Sequence, residues 1–520
     1  MSRRAEVFAG TAPALPRRLP FAQLLIPLIA GVAAVAGFAP FGLWPLPILS
    51  LAVLFVMLER APSLRAGLAL GFAWGLGFFL TGVSWVYVSL SVYGGMPAWL
   101  AGLATFLFCG FLALFPAAVG GLHARLRGHQ RTPLAPVVRL LVLLPMLWGA
   151  SEWVRGWIFT GFPWLVVGYS QVPASPLAGY APLTGVYGVS FVLASLAALL
   201  TWLLTPGRRL AARAWALGAI AVALFGGQLL RGVAWTTPDG GPTSVALLQG
   251  NVPQAMKWQP ERTLPTLETY LRMAAASPAR LIVLPETALP LFESDLPERY
   301  RERLAELGRA NGGDVLAGLP TGSYEHGYYN SVISLGSAPG QRYHKIHLVP
   351  FGEYIPLRAL WGWVVEVLHI PLSDFSRGGV EQRPLAIGGQ RVAADICYED
   401  AFGEEIIRQL PEASVLVNVS NLAWFGDSFA PWQHVQMSQM RALESGRMML
   451  RATNTGVTAI IDARGNLLAS LPLFTAGSLT GEIQGYAGST PYVRWGNAPV
   501  LALWGVIGVG LLALRFRRSP

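Results

Sequence analysis

The sequence predicts a polytopic α-helical membrane domain of about eight transmembrane helices that carries one large α/β domain. Three observations predict it. The 520 residues are 53% hydrophobic and only 13% charged, with a mean hydropathy of +0.47, whereas soluble domains carry about 25% charged residues. The apolar residues are unevenly spread: 1–232 is nearly continuous hydrophobic blocks, 235–492 reads as an ordinary globular domain, and 497–514 is apolar again. Finally, basic and uncharged connections alternate between the blocks.

A hydrocarbon core about 30 Å thick takes roughly 20 apolar residues per helix. Spans are read at 21–38, 42–58, 66–90, 97–119, 136–153, 183–204, 212–230 and 497–514. Transmembrane helices 1–7 thus fall in 1–232 and helix 8 in 497–514, around a soluble insert at 235–492. Arg3, Arg4, Arg17 and Arg18 precede the first span, and Arg60 and Arg65 follow the second. Arg125, Arg127, Arg131 and Arg139 surround the fourth connection; Arg208, Arg209 and Arg213 the sixth; Arg515, Arg517 and Arg518 close the chain. The intervening FAPFG and SVYGGMPA carry no charge. By the positive-inside rule both termini are cytoplasmic and the insert lies across the membrane, in a bacterium the periplasm. Glu152 and Arg155 fall at a span edge, within reach of the interface. The first apolar run leads directly to further spans, so no cleavable signal peptide is expected.

The net charge of +10 sits largely in these short loops, where topology and anionic headgroups account for it. Nucleic acid is therefore not an expected partner.

Within the insert, strand-like and helix-like segments alternate. SVALLQGNV is a strand, 261–276 an amphipathic helix, and RLIVLPET a buried strand running into a loop. PERYRERLAELGRANGG has proline near its start and glycines past its end, as a helix should. GDVLAGLP, YYNSVISLG and a strand pair in RPLAIGGQRVAADICYED follow, then a helix in FGEEIIRQL and a strand in SVLVNVSN. WQHVQMSQMRALESGRMMLRATN reads as one long helix, and GVTAIIDARGNLLAS as a hairpin around Arg464-Gly465-Asn466. Such a mix implies an α/β domain large enough for its own core.

The chain has two cysteines. Cys109 lies inside the fourth span, while Cys397 stands in DICYED among three acidic residues. In an oxidising compartment a thiol without a partner is worth testing for reactivity. Two other polar stretches also sit where strands hand over to loops: LPETALP with Glu286, and YHKIHLVPFGEYIP with Lys345 and Glu353. A thiol, a carboxylate and an ammonium can make a nucleophile, its base and an oxyanion stabiliser. Taken singly, each has an ordinary explanation: a turn or cap carboxylate, a solvated lysine, a packed cysteine. Spacing alone does not choose.

The combination is more specific. Glu286 in LPETALP, Lys345 in YHKIHLVPFGEYIP and Cys397 in ICYED resemble the Glu-Lys-Cys triad of the nitrilase superfamily. With hydrophobic spans on both sides, the chain resembles the apolipoprotein N-acyltransferases, membrane-embedded members of that superfamily. QGNVPQAMKW, YYNSVISLG, SNLAWFG and PWQHVQMSQMRALESGRMMLRATNTGVTA extend the resemblance over nearly the full length. It implies an α-β-β-α sandwich for the insert, with Cys397 as nucleophile, Glu286 as base and Lys345 at the oxyanion. It implies a phospholipid acyl donor, typically phosphatidylethanolamine, and a diacylglyceryl apolipoprotein acceptor in the inner membrane. Trp258, Asn330, Glu353, Tyr398, Glu399 and Trp424 match supporting positions of the family. Where the family often has SNDAWFG this chain has Leu422, which puts any acidic role there in doubt. No cofactor is expected, and the chain is read as a monomer. His344 and His347 flank Lys345 without an obvious third ligand, so no metal is expected either. The rival reading is a membrane-tethered amidase of the same superfamily, sharing the triad but requiring water in the site.

Overall fold

The computed structural model describes residues 20–127, 134–356 and 374–516. Arg3, Arg4, Arg17, Arg18, Arg131, Arg517 and Arg518, used above for orientation, lie outside the described residues. Helices stand at all eight apolar positions: α1 (Ala22–Val35), α2 (Pro45–Arg60), α3 (Leu64–Gly82), α4 (Ala98–Arg127), α5 (Pro136–Arg155), α6 (Ala181–Leu204), α7 (Leu210–Leu230), and a last helix, Ala498–Phe516. The five from α3 to α7 are long and apolar enough to cross a membrane. Two others, Ala22–Val35 and Ala498–Ala513, are apolar but shorter.

The third span is shorter than its hydropathy implies. It ends at Gly82 because Trp85 Nε1 turns back to donate to the Gly82 carbonyl, 3.0 Å, and reaches Gln433 Oε1 at 3.2 Å. The chain then winds through short turns, Val86–Val88 and Ser89–Tyr93, that face the second domain. Glu152 and Arg155 are also not where they were expected. Both are buried. Arg155 Nη1 donates to the carbonyls of Phe162 and Trp164, each at 2.6 Å, and Glu152 Oε1 accepts from the Val167 N–H at 3.0 Å. Charges inside an apolar domain are tolerated when they pair or serve backbone groups; here they pin the loop after α5 beneath the insert.

The insert comprises β1 (Thr236–Gln249), α8 (Pro260–Ala275), β2 (Leu281–Val283), α9 (Glu298–Ala310), β3 (Asp314–Ser323), β4 (Gly327–Gly336), β5 (Arg342–His344), β6 (Leu385–Ile387), β7 (Gln390–Ile396), β8 (Val415–Ser420), α10 (Ala430–Ser445), β9 (Met449–Thr453), β10 (Ala459–Ile461), β11 (Leu467–Ser470) and β12 (Gly477–Gly488). One six-stranded sheet has the order β12-β1-β2-β3-β4-β5 and the other β11-β10-β9-β8-β7-β6. Strand alternation assigns the layers. Val245 and Leu247 of β1 meet Ile396, Val417 and Leu450 between the sheets, while Ala246 and Leu248 face Leu267 and Leu304 of α8 and α9. On the far side, Leu416 and Met449 pack on Val435 and Ala442 of α10. The result is the α-β-β-α sandwich, each buried Leu or Val contributing about 1.5–3 kcal/mol.

Three readings of the insert are corrected. The long helix expected over 432–454 stops at Ser445, because Gly446 is left-handed, φ +64°, and closes the helix end. Its remainder becomes β9, parallel to β8. FGEEIIRQL forms only the short turns Gly403–Ile406 and Ile407–Gln409. β12 has no counterpart in the sequence reading: it is a glycine-rich edge strand, half exposed, and gains its partners from β1 at the other end of the domain.

Candidate active site

The three polar stretches meet at the ends of their strands. Glu286 lies three residues beyond β2, in a loop seated tightly over Gly318 of β3. A Cβ at position 318 would stand 2.4 Å from the Pro285 oxygen and 2.8 Å from the Thr287 nitrogen, so only glycine admits this approach. The buried carboxylate accepts from Asn330 Nδ2 at 2.7 Å and from the Asn421 N–H at 2.8 Å, and Lys345 Nζ stands 3.4 Å away. Lys345 directly follows β5, its N–H donating to the Asn330 carbonyl at 2.8 Å. Its ammonium is 1% exposed and bonds Glu353 Oε1 at 2.9 Å. Burial opposes that charge, but Glu353, then Glu286 and Cys397, outweigh it and raise the pKa. Glu353 is oriented in turn: Oε1 also accepts from Asn330 Nδ2, 2.9 Å, and Oε2 from the Val349 N–H, 2.9 Å.

Cys397 directly follows β7 and opens the helical turn Cys397–Ala401. Its φ is +56°, a left-handed conformation that non-glycine residues adopt mainly where the surroundings impose it. Burial is the largest influence on the thiol and raises its pKa; Glu286 adds to this, and Lys345 acts against it. The thiol is therefore protonated at rest, and a base would be needed to make it a nucleophile. Glu399 anchors the turn. It accepts from the N–H groups of Ile346, His347 and Ile396 at 2.6, 3.0 and 2.7 Å, and from Tyr343 Oη at 3.1 Å. Burial still pushes its pKa up to about 7. One carboxylate thus ties the lysine loop to the cysteine turn.

Tyr398 leaves the insert altogether. Its hydroxyl donates to the Gly161 carbonyl, 3.1 Å, and its ring stacks on Trp164 of the helical domain at 6.4 Å. Trp424 is also at the domain junction: its carbonyl accepts from Ser89 Oγ at 2.8 Å, and its ring meets Tyr93 edge-on at 6.0 Å. Leu422 is buried beneath that turn, against Gly456. Trp258 is half-buried, and its neighbour Lys257 is the residue that reaches the site. Lys257 Nζ donates to the Glu286 carbonyl at 3.1 Å and to Thr287 Oγ1. Burial lowers its pKa to about 8, against the pull of Glu286 and Cys397. Within QGNVPQAMKW the tryptophan is the residue that stands out in sequence, because a lysine reads as a solvated surface group unless its burial is known. A second group missed from sequence is the buried set Asp400, Asn418, His434, Ser438 and Arg451 behind Cys397. Its members come from four elements that meet only because β7, β8 and β9 pair side by side and α10 packs across them.

A buried carboxylate, a buried cation and a half-buried, protonated thiol thus stand within electrostatic reach of one another, with the thiol's neighbour Tyr398 touching an apolar helical domain. Comparison with known proteins agrees. Residues 30–199 match the family profile described as Apolipoprotein N-acyltransferase N-terminal domain, and residues 244–492 match Carbon-nitrogen hydrolase. An apolipoprotein N-acyltransferase of Nitrosomonas europaea is 52% identical over 488 residues, 93% of this chain and 96% of that protein. The chain belongs to the apolipoprotein N-acyltransferase family. Relatives of the same name from Chromobacterium violaceum and Methylococcus capsulatus are 45% and 48% identical, covering 98% and 95% of this chain and 98% and 97% of their own lengths. The family's two-part plan coincides with the helical and sandwich domains seen here.

Proposed function

We propose that this enzyme transfers a fatty acyl chain from a phospholipid, through a thioester on Cys397, to the α-amino group of a diacylglyceryl-cysteine at the N-terminus of an apolipoprotein. The observation that carries the reading is the position of the Cys397 turn. It joins the Glu286–Lys345 pocket on one side and, through Tyr398, the helical domain on the other. An ester whose chains lie in the bilayer can reach such a thiol without passing through water.

In the first half-reaction Glu286 accepts the Cys397 proton as sulfur attacks the ester carbonyl, and Lys345 faces the developing oxyanion. Collapse expels the lysophospholipid alkoxide, which takes the proton back from Glu286. In the second half, the amine attacks the thioester, Glu286 takes the amine proton, and the Cys397 thiolate leaves and is reprotonated. An α-amino group has a pKa near 7.7–8.0, so roughly a tenth or more is neutral at pH 7 and nucleophilic. A site beside acyl chains favours this amine over water as acceptor.

Phosphatidylethanolamine is the proposed donor. Eight spans with both termini cytoplasmic would set the catalytic domain, 235–492, on the periplasmic side of the inner membrane, and the enzyme is proposed to act as a monomer. Incubation with phospholipid alone should release one equivalent of lysophospholipid in a burst and leave one acyl group on Cys397, read by intact mass. A diacylglyceryl-cysteinyl peptide with a free amine should discharge it, and its N-acetylated form should not. Continuous release of fatty acid without peptide would make the enzyme a hydrolase instead.

A further inference from the structure

The carbonyl of Cys397 is held by two buried side chains. Asn418 Nδ2 of β8 donates to it at 3.1 Å and His434 Nε2 of α10 approaches it at 3.0 Å. The other ring nitrogen of His434 fixes the tautomer. Arg451 Nη2 stands 2.8 Å from His434 Nδ1, and a guanidinium can only donate. Nδ1 therefore carries the lone pair and Nε2 the proton, which points to the Cys397 oxygen. Burial, and then the Arg451 charge, hold the imidazole pKa well below its usual value and keep the ring neutral. Asp400 Oδ2 is farther from Nε2, 3.6 Å, and already accepts from Ser438 Oγ and Arg451 Nη1. The imidazole also packs on Trp164, centroids 5.5 Å apart. With Nδ1 blocked and Nε2 committed, this histidine cannot serve as the base for the thiol.

We propose that His434 is a positioning residue for acyl transfer: by holding the Cys397 carbonyl, it aims the Tyr398 N–H at the oxyanion that forms on the acyl carbon bound to Cys397. This rests on the reading of Cys397 as nucleophile. The Cys397–Tyr398 peptide is trans, so its N–H points opposite to its C=O, and fixing one fixes the other. Tyr398 is the second residue of the turn Cys397–Ala401, where an N–H has no acceptor within the helix. The left-handed φ of Cys397 makes such a restraint necessary, because the peptide plane would otherwise relax. Lys345 would then supply the charge to the oxyanion, and the Tyr398 N–H its second donor.

The test compares two reactions of Cys397 in the full-length enzyme, wild type, H434L and H434Q. Thioester formation from phospholipid alone passes through an oxyanion; alkylation by iodoacetamide, located to Cys397 by peptide mass, does not. H434L should slow thioester formation about 100- to 1000-fold, the range for a lost oxyanion donor, while alkylation stays close to the wild-type rate because the pocket is otherwise intact. H434Q, whose amide reaches the same carbonyl, should regain at least about tenfold over H434L. N418A removes the other donor and should show the same split, which keeps the test available if H434L does not fold. Equal losses in both reactions, or unchanged thioester formation in H434L, would overturn the proposal. A wild-type enzyme that forms no adduct would instead overturn the nucleophile assignment.

Discussion

Lys345 Nζ stands 2.9 Å from Glu353 Oε1, nearer than its 3.4 Å approach to Glu286. Glu353 thus takes the larger share of the lysine's charge and leaves the Glu286 carboxylate able to accept a proton. In Glu353→Gln the ammonium should settle on Glu286 as a closer ion pair and weaken it as a base. Single-turnover thioester formation should fall about 10- to 100-fold, a part of the roughly hundred- to ten-thousandfold that a positioned general base supplies. An unchanged single-turnover rate would remove Glu353 from this account.

Cys397→Ala should abolish acyl transfer while leaving the fold intact, since the replacement is small and β7 ends before it. Glu286→Gln should also lose transfer, because an amide accepts no proton, although it keeps an oxygen for Asn330. Loss of a covalent nucleophile reduces turnover by more than about a thousandfold. Activity of Cys397→Ala above that level, measured as N-acylated peptide, would rule out the thioester route.

The helices at the eight apolar stretches and most strands are legible because hydropathy and alternation are local signals. What failed was non-local. β12 exists only through its pairing with the distant β1, and β9 only because β8 offers a parallel edge once Gly446 ends α10. The same distinction runs through the site. Glu286, Lys345 and Cys397 stand out within short motifs, as do Asn330, Glu353 and Glu399. Lys257 and His434 carry no local mark. A lysine before a tryptophan and a histidine near a helix start acquire meaning only from what folding places against them.

Gly318→Ala tests how finely the Glu286 loop is placed. The added Cβ would collide with the Pro285 carbonyl, and the loop, which is not paired in the sheet as β3 is, is the side expected to give way. Displacing a reacting group by about 1 Å is enough to reduce rate about a hundredfold. The expected variant is folded, lower than wild type in thermal stability because the site is overpacked, and about a hundredfold slower in thioester formation. A full-rate variant would show that the loop does not set the position of the carboxylate.

Lys257 should give one titration two opposite consequences. Its pKa is lowered to about 8 by burial, against the ordinary value near 10.4 in an unfolded chain. Below pH 8 it is a cation beside Glu286 and within the field of Cys397, where positive charge favours the forming thiolate. Above pH 8 the folded enzyme loses that charge, so thioester formation should decline along a basic limb centred near pH 8. Stability should move the other way. Between about pH 8 and 10.4 the unfolded chain binds more protons at this site than the folded one, so unfolding free energy from this group rises with pH. The destabilisation from burying the ammonium is complete below pH 8 and is relieved above it. Lys257→Met keeps the bulk without the charge. It should be slower than wild type below pH 8, lack the basic limb, and lack the gain in thermal stability on going from pH 8 to 10. Matched pH profiles of single-turnover rate and melting temperature for the two proteins decide the point. A basic limb that survives in Lys257→Met would belong to another group, and Lys257 would then be only a strut beneath the Glu286 loop.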